Sequence, residues 1–316
     1  MADPVDLLAT LLDRGARSLG VENEAHLVLA VSGGPDSFAL LHGAARVVQA
    51  DMRRWCLSVA HLDHALRSDS ADDGRFVADA AAALRLPCEI RRTDVAALAR
   101  AEGRSIEEAG REARYRFLEE IAPEGALIAV AHTADDAAET VLMNLLRGSG
   151  LSGVRGIPPR RGRVIRPLLG ERRDILRGLL DDAGIAYRLD PTNDDPSFLR
   201  NRIRGEVLPL LEDLRAGAVD RIGQFARLAG DDDVLLNEIA AADLAGRMRD
   251  GGVDWRDPPG PALGRRVLRL AIGDPAPSAE RIDALLEVAG GQRGGVRIEL
   301  GGGRVASVRE HLIRIA

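Results

Sequence analysis

The chain has 316 residues, about twice the usual ~150-residue domain, so two domains are expected. It is 46% hydrophobic and 29% charged, an ordinary globular composition, and no apolar run approaches the roughly 18 residues of a membrane span. Its net charge of −6 argues against a protein that is basic all over, while leaving room for a local basic strip. The acidic start, Met1-Ala2-Asp3-Pro4, lacks the basic segment of a signal peptide, so the expected location is the cytoplasm. All 43 basic residues are arginine, which removes Schiff bases, pyridoxal phosphate anchoring and a Walker A lysine. Cys56 and Cys88 form no CxxC pair, which argues against a zinc finger, an iron–sulfur cluster or a disulfide scaffold. Aromatic residues, at 3%, are too few for base-stacking platforms as a main binding mode.

In chain order, Val5, Leu8, Leu11 and Leu12 predict a helix over 5–18, and the apolar run 26–31 predicts a buried strand. A helix is expected over 38–48, a strand over 57–62, a helix over 70–86 and a strand over 88–92. A charged amphipathic helix over 105–121, a strand over 126–131 and a helix over 135–147 follow. This alternation predicts an α/β fold with an open, mostly parallel sheet and helices on both faces. Residues 148–170, rich in Gly, Pro and Arg, read as an extended loop, and 171–183 as a helix. Beyond about 205 the texture is helical, ending in a β-hairpin around Gly301-Gly302-Gly303. The expected domains are 1–213 and a smaller, mainly helical 214–316.

Ser32-Gly33-Gly34-Pro35-Asp36-Ser37 joins the first strand to the next helix. The end of a parallel strand opens at the ligand-binding edge, and a helix N-terminus favours anions. Gly33 and Gly34 let backbone approach a phosphate, and Ser32 and Ser37 add hydroxyls. Asp36 would repel phosphate unless a divalent cation lies between, which suggests Mg²⁺. A tight turn capped by Asp36 is the plainer reading. A GxGxxG at Gly148, Gly150 and Gly153 follows a helix rather than a strand, so it does not read as a dinucleotide loop.

The string Ser-Gly-Gly-x-Asp-Ser resembles the pyrophosphate loop of the N-type ATP pyrophosphatases, the PP-loop superfamily. Its members split ATP into AMP and pyrophosphate while adenylating a carbonyl oxygen. Further strings resemble one family within it, the tRNA(Ile)-lysidine synthetases. They are Asp63-His64-Ala65-Leu66-Arg67, with Ala65 where the family has Gly, and Arg111-Glu112-Ala113-Arg114-Tyr115. His132-Thr133-x-x-Asp136-x-x-Glu139-Thr140, running on to Arg147-Gly148-Ser149-Gly150, is the most specific. Arg166-Pro167-Leu168-Leu169, and Asp190-Pro191-Thr192-Asn193 with Arg200-Asn201-Arg202-Ile203-Arg204, agree in order and spacing. The resemblance covers residues 25–209. Thiolases of the superfamily rely on cysteine pairs, which this chain lacks.

For each string a plainer reading stands beside it. Asp63 and His64 could be a polar turn, or His61 and His64 a metal pair. Arg111 and Arg114 could belong to a salt-bridged helix face. Asp136 and Glu139 could simply complement a helix dipole. Nine arginines against Glu171 and Asp174 from Arg147 to Arg177 give a local balance of +7, suited to an RNA backbone or to keeping a loop soluble.

The resemblance implies that ATP binds at residues 32–37 with Asp63 and His64 beside it, and that Asp36 lies near Mg²⁺. It implies tRNA(Ile) with a CAU anticodon and free lysine as partners; a homodimer is compatible with it. The C2 oxygen of the wobble cytidine attacks the α-phosphorus of ATP, and lysine's ε-amine then displaces AMP. Asp36, Arg111, Arg114, His132, Asp136, Glu139 and Arg204 become the catalytic candidates. Arg147, Arg155, Arg160, Arg161, Arg163, Arg166 and Arg200 become the RNA contacts. The alternatives are another PP-loop tRNA-modifying or amidating enzyme, or a nucleotide-binding regulator without chemistry.

Overall fold

The computed structural model describes residues 3–67, 70–189, 198–274, 277–291 and 295–316. The chain divides into two compact units, Met1–Arg227 and Leu228–Ala316.

In the first unit, β1 (His26–Ala30) lies between β2 (Cys56–Asp63) and β4 (Leu127–Val130), parallel to both, with β3 (Cys88–Arg92) beyond β2. Successive residues of β1 face opposite sides, as strand geometry requires. Leu27 and Leu29 pack with α1 (Pro4–Ser18), α2 (Pro35–Gln49) and α8 (Arg173–Asp182), through Leu8, Leu12, Leu40, Leu41, Leu176 and Leu180. Val28 packs on the other side with Ile128 and with Phe117 and Leu118 of α5 (Ile106–Ile121). A strand buried on both faces reads as the unbroken apolar run seen in the sequence. The sheet order is β3-β2-β1-β4-β6-β5. The chain therefore leaves β1 in one direction and β4 in the other, which opens a crevice at the C-terminal ends of these central strands.

The expected elements form, with additions. α3 (Ser70–Ala83) and α6 (Ala134–Leu146) lie where helices are predicted. Residues 148–170 are not simply a loop. They hold α7 (Leu151–Val154) and two short strands, β5 (Arg160–Arg161) and β6 (Val164–Ile165), and β6 extends the sheet parallel to β4. Two-residue strands are too short to show alternation. An unpredicted helix, α4 (Val95–Glu102), starts at Asp94, whose side chain accepts from the Ala97 amide, and ends at Gly103 in the left-handed region, φ 64°.

The second unit is more than helices and a hairpin. The expected hairpin, β9 (Val296–Gly301) and β10 (Arg304–Arg309), is part of an antiparallel five-stranded sheet ordered β7-β8-β11-β10-β9. The other strands are β7 (Met248–Arg249), β8 (Gly252–Asp254) and β11 (Leu312–Ile315). Trp255, Leu300, Val308 and Ile313 pack there with α12 (Pro261–Ile272) and α13 (Ala279–Gly290) through Val267, Leu268 and Leu285. The two compact units part at residues 227 and 228, inside a continuous helix, α11 (Ala218–Arg247). Helical sequence runs through that point, so composition carries no break there. Among the described residues, no helix is long and apolar enough to cross a membrane.

Candidate active site at the C-terminal edge of the parallel sheet

The loop after β1 is shaped from within. Gly33 has φ +95°, a conformation that side chains resist. The buried Ser37 hydroxyl accepts from the amides of Ser32 and Gly33, each at 3.2 Å, and donates to the Gly34 carbonyl at 2.8 Å. Ser37 therefore holds the loop's form, and Ser32 Oγ lies 3.3 Å from it. Gly34 precedes α2 without a side-chain cap, and Pro35 takes the first turn. The first amides of α2 thus lack a competing side-chain acceptor, the arrangement that suits an anion. The Arg188 amide donates to the Gly33 carbonyl at 2.9 Å and braces the loop from outside.

Asp36 and α6 build the charged centre. Thr133 caps α6 in a reciprocal box: Asp136 Oδ2 accepts from the Thr133 amide at 2.9 Å and its hydroxyl at 3.0 Å. Asp136 Oδ1 accepts from Arg173 Nη2 at 2.9 Å. One oxygen of this carboxylate thus serves the helix end and the other faces the crevice. Glu139, one turn on, is fully buried. It accepts from Arg173 Nη1 at 3.2 Å, Arg200 Nε at 2.8 Å, and Arg204 Nε and Nη2 at 2.7 and 3.1 Å. Arg173 Nε donates to Asp36 Oδ2 at 3.1 Å. Three carboxylates thus meet three guanidinium groups. Arg200 comes from α9 (Leu199–Arg202), and Arg204 from the π-helical turn Ile203–Val207 that follows. Pro209, with no N–H to offer the preceding turn, stands just beyond, at the start of α10 (Leu208–Leu214).

The protonation states follow from these contacts. Burial raises the Asp36 carboxyl to about 6; Arg173 opposes this and Asp136 reinforces it. Its Oδ1 is buried with no hydrogen-bond partner among the described residues. Burial would also raise Asp136, but Arg173, the Thr133 amide, His132 and Arg200 outweigh it and hold that carboxyl below its ordinary range. His132, just before the cap, is brought by burial to about 4, with Asp136 opposing and Arg166, Arg200 and Arg111 assisting.

Asp63 and His64 end β2 at the same edge. Asp63 is buried and accepts from the Ala65 amide at 2.8 Å. His64 is brought by burial, and then by Arg114, to about 4; Arg114 Nη2 lies 3.3 Å from its Nε2. A Cβ on Gly110 would come 3.0 Å from His64 Nδ1, so α5 packs directly on this ring. Ala65 has φ +53°, which accounts for a glycine in the matching string of the lysidine synthetases. Arg111 and Arg114 are exposed on α5, and the Arg111 guanidinium lies 5.1 Å from the Tyr115 ring centroid.

The arginine strip divides. Arg147, Arg155, Arg160 and Arg161 are exposed, and Arg160 also donates to the Leu19 carbonyl at 3.0 Å. Arg163 instead donates to the carbonyls of Glu119, Ala122 and Pro123 at the end of α5. Arg166 is buried, donating to His132 Nδ1, the Pro158 carbonyl and the Tyr115 hydroxyl. Arg200, partly exposed, donates to Glu139. Arg163, Arg166 and Arg200 thus each find acceptors within the fold that a charge count does not see. Asp190-Pro191-Thr192-Asn193 lies outside the described residues.

Sequence reasoning missed Arg173, which touches all three carboxylates. A signal existed. Arg172 and Arg173 stand at the start of α8, where the helix dipole disfavours cations. Two arginines there imply acidic partners, and the structure supplies Asp135 and Glu212 for Arg172.

A PP-loop domain model matches residues 8–211. A tRNA(Ile)-lysidine synthase from Geobacter sulfurreducens is 42% identical over 82% of this chain and 58% of its own length. One from Symbiobacterium thermophilum is 38% identical over 90% of this chain and 65% of its own. One from Thermus thermophilus is 44% identical over 69% and 42%. The chain thus spans about half the length of the curated relatives it matches. Among solved structures, a U34-tRNA thiolase from Methanococcus maripaludis shares the fold, with a TM-score of 0.58 and 17% identity over 70% of this chain and 79% of its own. The chain belongs to the PP-loop domain family and, within it, is similar to the tRNA(Ile)-lysidine synthases.

Proposed function

We propose that this chain ligates lysine to C2 of the wobble cytidine of tRNA(Ile) bearing a CAU anticodon, in two ATP-dependent steps. The observation that carries this reading is the meeting of Asp36, Asp136 and Glu139 with Arg173, Arg200 and Arg204 beside an uncapped glycine loop. Such a centre holds both signs of charge that the substrates bring: phosphate anions and an ammonium cation.

In the first step the cytidine C2 oxygen attacks the α-phosphorus and pyrophosphate leaves. The amides at the start of α2 and nearby guanidinium groups face the negative charge that builds on the phosphates. Arg111 and Arg114, exposed at the same edge, are further clamps. The unpartnered, buried Oδ1 of Asp36 fits a Mg²⁺ ion, which is commonly held by one or two carboxylates together with substrate phosphates. When bound, the ion would neutralise phosphate charge next to Asp36.

In the second step lysine's ε-amine attacks C2, and the C2–O bond breaks to release AMP. The ε-ammonium arrives near carboxylates, passes one proton to a carboxylate or to solvent before attack, and releases a second to solvent once the C–N bond has formed. Asp136 and Glu139 are the holders. In the substrate-free arrangement their charge is met by Arg173, Arg200 and Arg204. Guanidinium groups drawn toward phosphate leave those carboxylates to the lysine cation, so nucleotide prepares the amine site. Arg147, Arg155, Arg160 and Arg161 remain the exposed contacts for the RNA backbone.

The test is release of labelled pyrophosphate and uptake of labelled lysine into RNA, with Mg²⁺, ATP, lysine and the tRNA(Ile) CAU transcript each omitted in turn. RNA-dependent release, with lysine incorporated only when all are present, is the expected result. Release without incorporation would keep ATP pyrophosphatase chemistry and discard lysine. No release in any combination would leave a nucleotide-binding protein.

A further inference from the structure

We propose that Arg166 is a positioning residue that locks the tautomer of His132, so that the imidazole presents Nε2–H as a standing donor to an anionic oxygen of the nucleotide rather than serving as a base. The donor role rests on the nucleotide reading above; the tautomer does not.

A guanidinium carries only donors. Arg166 Nε lies 3.2 Å from His132 Nδ1, so that nitrogen must supply its lone pair. A neutral ring whose Nδ1 accepts holds its single proton on Nε2. Arg166 is itself fixed. The residue is only 3% exposed; Nη1 donates to the Pro158 carbonyl at 2.7 Å and Nη2 to the Tyr115 hydroxyl at 3.4 Å. Its own amide donates to the Pro159 carbonyl at 2.9 Å. The donor therefore cannot turn away to let Nδ1 take a proton.

The charges around the ring oppose a second proton. Asp136 attracts one, while Arg166, Arg200 and Arg111 repel it, and burial penalises the cation. Among the described residues no group accepts from His132 Nε2. The ring stands directly after β4, at the edge where the glycine loop also ends. A neutral N–H donor there fits a phosphoryl oxygen, which an unprotonated, base-type nitrogen would repel.

The experiment is nitrogen NMR on the full chain labelled with ¹⁵N-histidine, with the His132 signals identified by their loss in His132→Gln. The expected spectrum shows an Nε2-protonated neutral ring that does not titrate between pH 8 and 5. In Arg166→Met both tautomers appear and the midpoint moves up toward the ordinary value of about 6.5. Should that variant fail to fold, the wild-type spectrum decides alone: an Nδ1-protonated ring, or a midpoint near 6.5, overturns the lock. A non-hydrolysable ATP analogue with Mg²⁺ should shift the Nε2 proton and slow its exchange. Pyrophosphate release should persist within about tenfold in His132→Gln, which keeps an N–H near that position, and fall about 100-fold in His132→Ala. Equal losses, or no response to the analogue in a ring with the expected tautomer, overturn the donor role. The RNA-dependent assay above then judges the wider reading independently.

Discussion

Glu139 in the first unit and Asp233 in the second are both fully buried carboxylates, and their surroundings differ. Asp233 sits on α11 with Arg266 at 2.7 Å, and Asn237, one turn on, bridges the two. Asp233, Arg266 and Asn237 make a compact brace between α11 and α12. Glu139 sits among two further acids and three arginines, from segments far apart in the chain, at the open edge of a parallel sheet. A brace needs one counter-charge. Three-on-three, with an Asp36 oxygen left over, is more than folding requires, since burying ions costs more than packing apolar groups. On the proposed function, this excess is where substrates exchange with side chains.

Removing the brace should give the largest effect, and on stability. Asp233→Ala removes the buried carboxylate that meets the largely covered Arg266 guanidinium. Breaking such a pair costs about 3–5 kcal/mol. Denaturant unfolding should show this loss, while pyrophosphate release per folded molecule stays near wild type. A loss of turnover in folded protein would erase the contrast between the two acids.

Glu139→Gln keeps the shape and removes the charge. Lysine incorporation should fall at least about 100-fold, the scale seen when one preorganised electrostatic contact is lost. Near-normal incorporation would make Glu139 a second brace.

Asp36 sharpens the contrast through pH. Its carboxyl is about 6 in the folded chain against 3.8 unfolded, so the folded state binds more protons between those values. Stability from this group is present below pH 4 and is lost as pH rises through 6. Asp36→Asn removes the loss and should be more stable than wild type at pH 7, by up to about 2–3 kcal/mol, with little difference at pH 4. Thermal melts at the two pH values check this; an equal gap at both would contradict the raised carboxyl.

The smallest effects belong to the exposed arginines. Arg147→Gln or Arg161→Gln should weaken tRNA binding a few-fold and lower the salt dependence by about one phosphate contact. ATP binding should not change. Titrations at several salt concentrations separate these from Arg166, whose loss should act on His132 instead.

Much of this was legible in the residues. The buried run 26–31 and the glycine loop after it have local causes, so order and spacing reveal them. Of the short strands at 160–165, β6 is pinned by pairing with β4, which no local window of sequence contains, and β5 by pairing with β6. The fates of Arg163, Arg166 and Arg200 were hidden for the same reason: whether an arginine faces solvent or a distant acceptor is decided by the fold. Arg173 was readable only as a misfit, a cation at a helix start. The five-stranded sheet of the second unit joins β8 to β11 across more than fifty residues, with helices between.

The most direct test follows the two steps separately in Glu139→Gln, using ATP labelled at the α-phosphorus, Mg²⁺, tRNA(Ile) CAU transcript and labelled lysine. If the carboxylates of α6 hold the lysine cation while the glycine loop and arginines handle phosphate, the RNA will carry the labelled adenylate and no lysine. Absence of both labels, or normal lysine transfer, would contradict that division of labour.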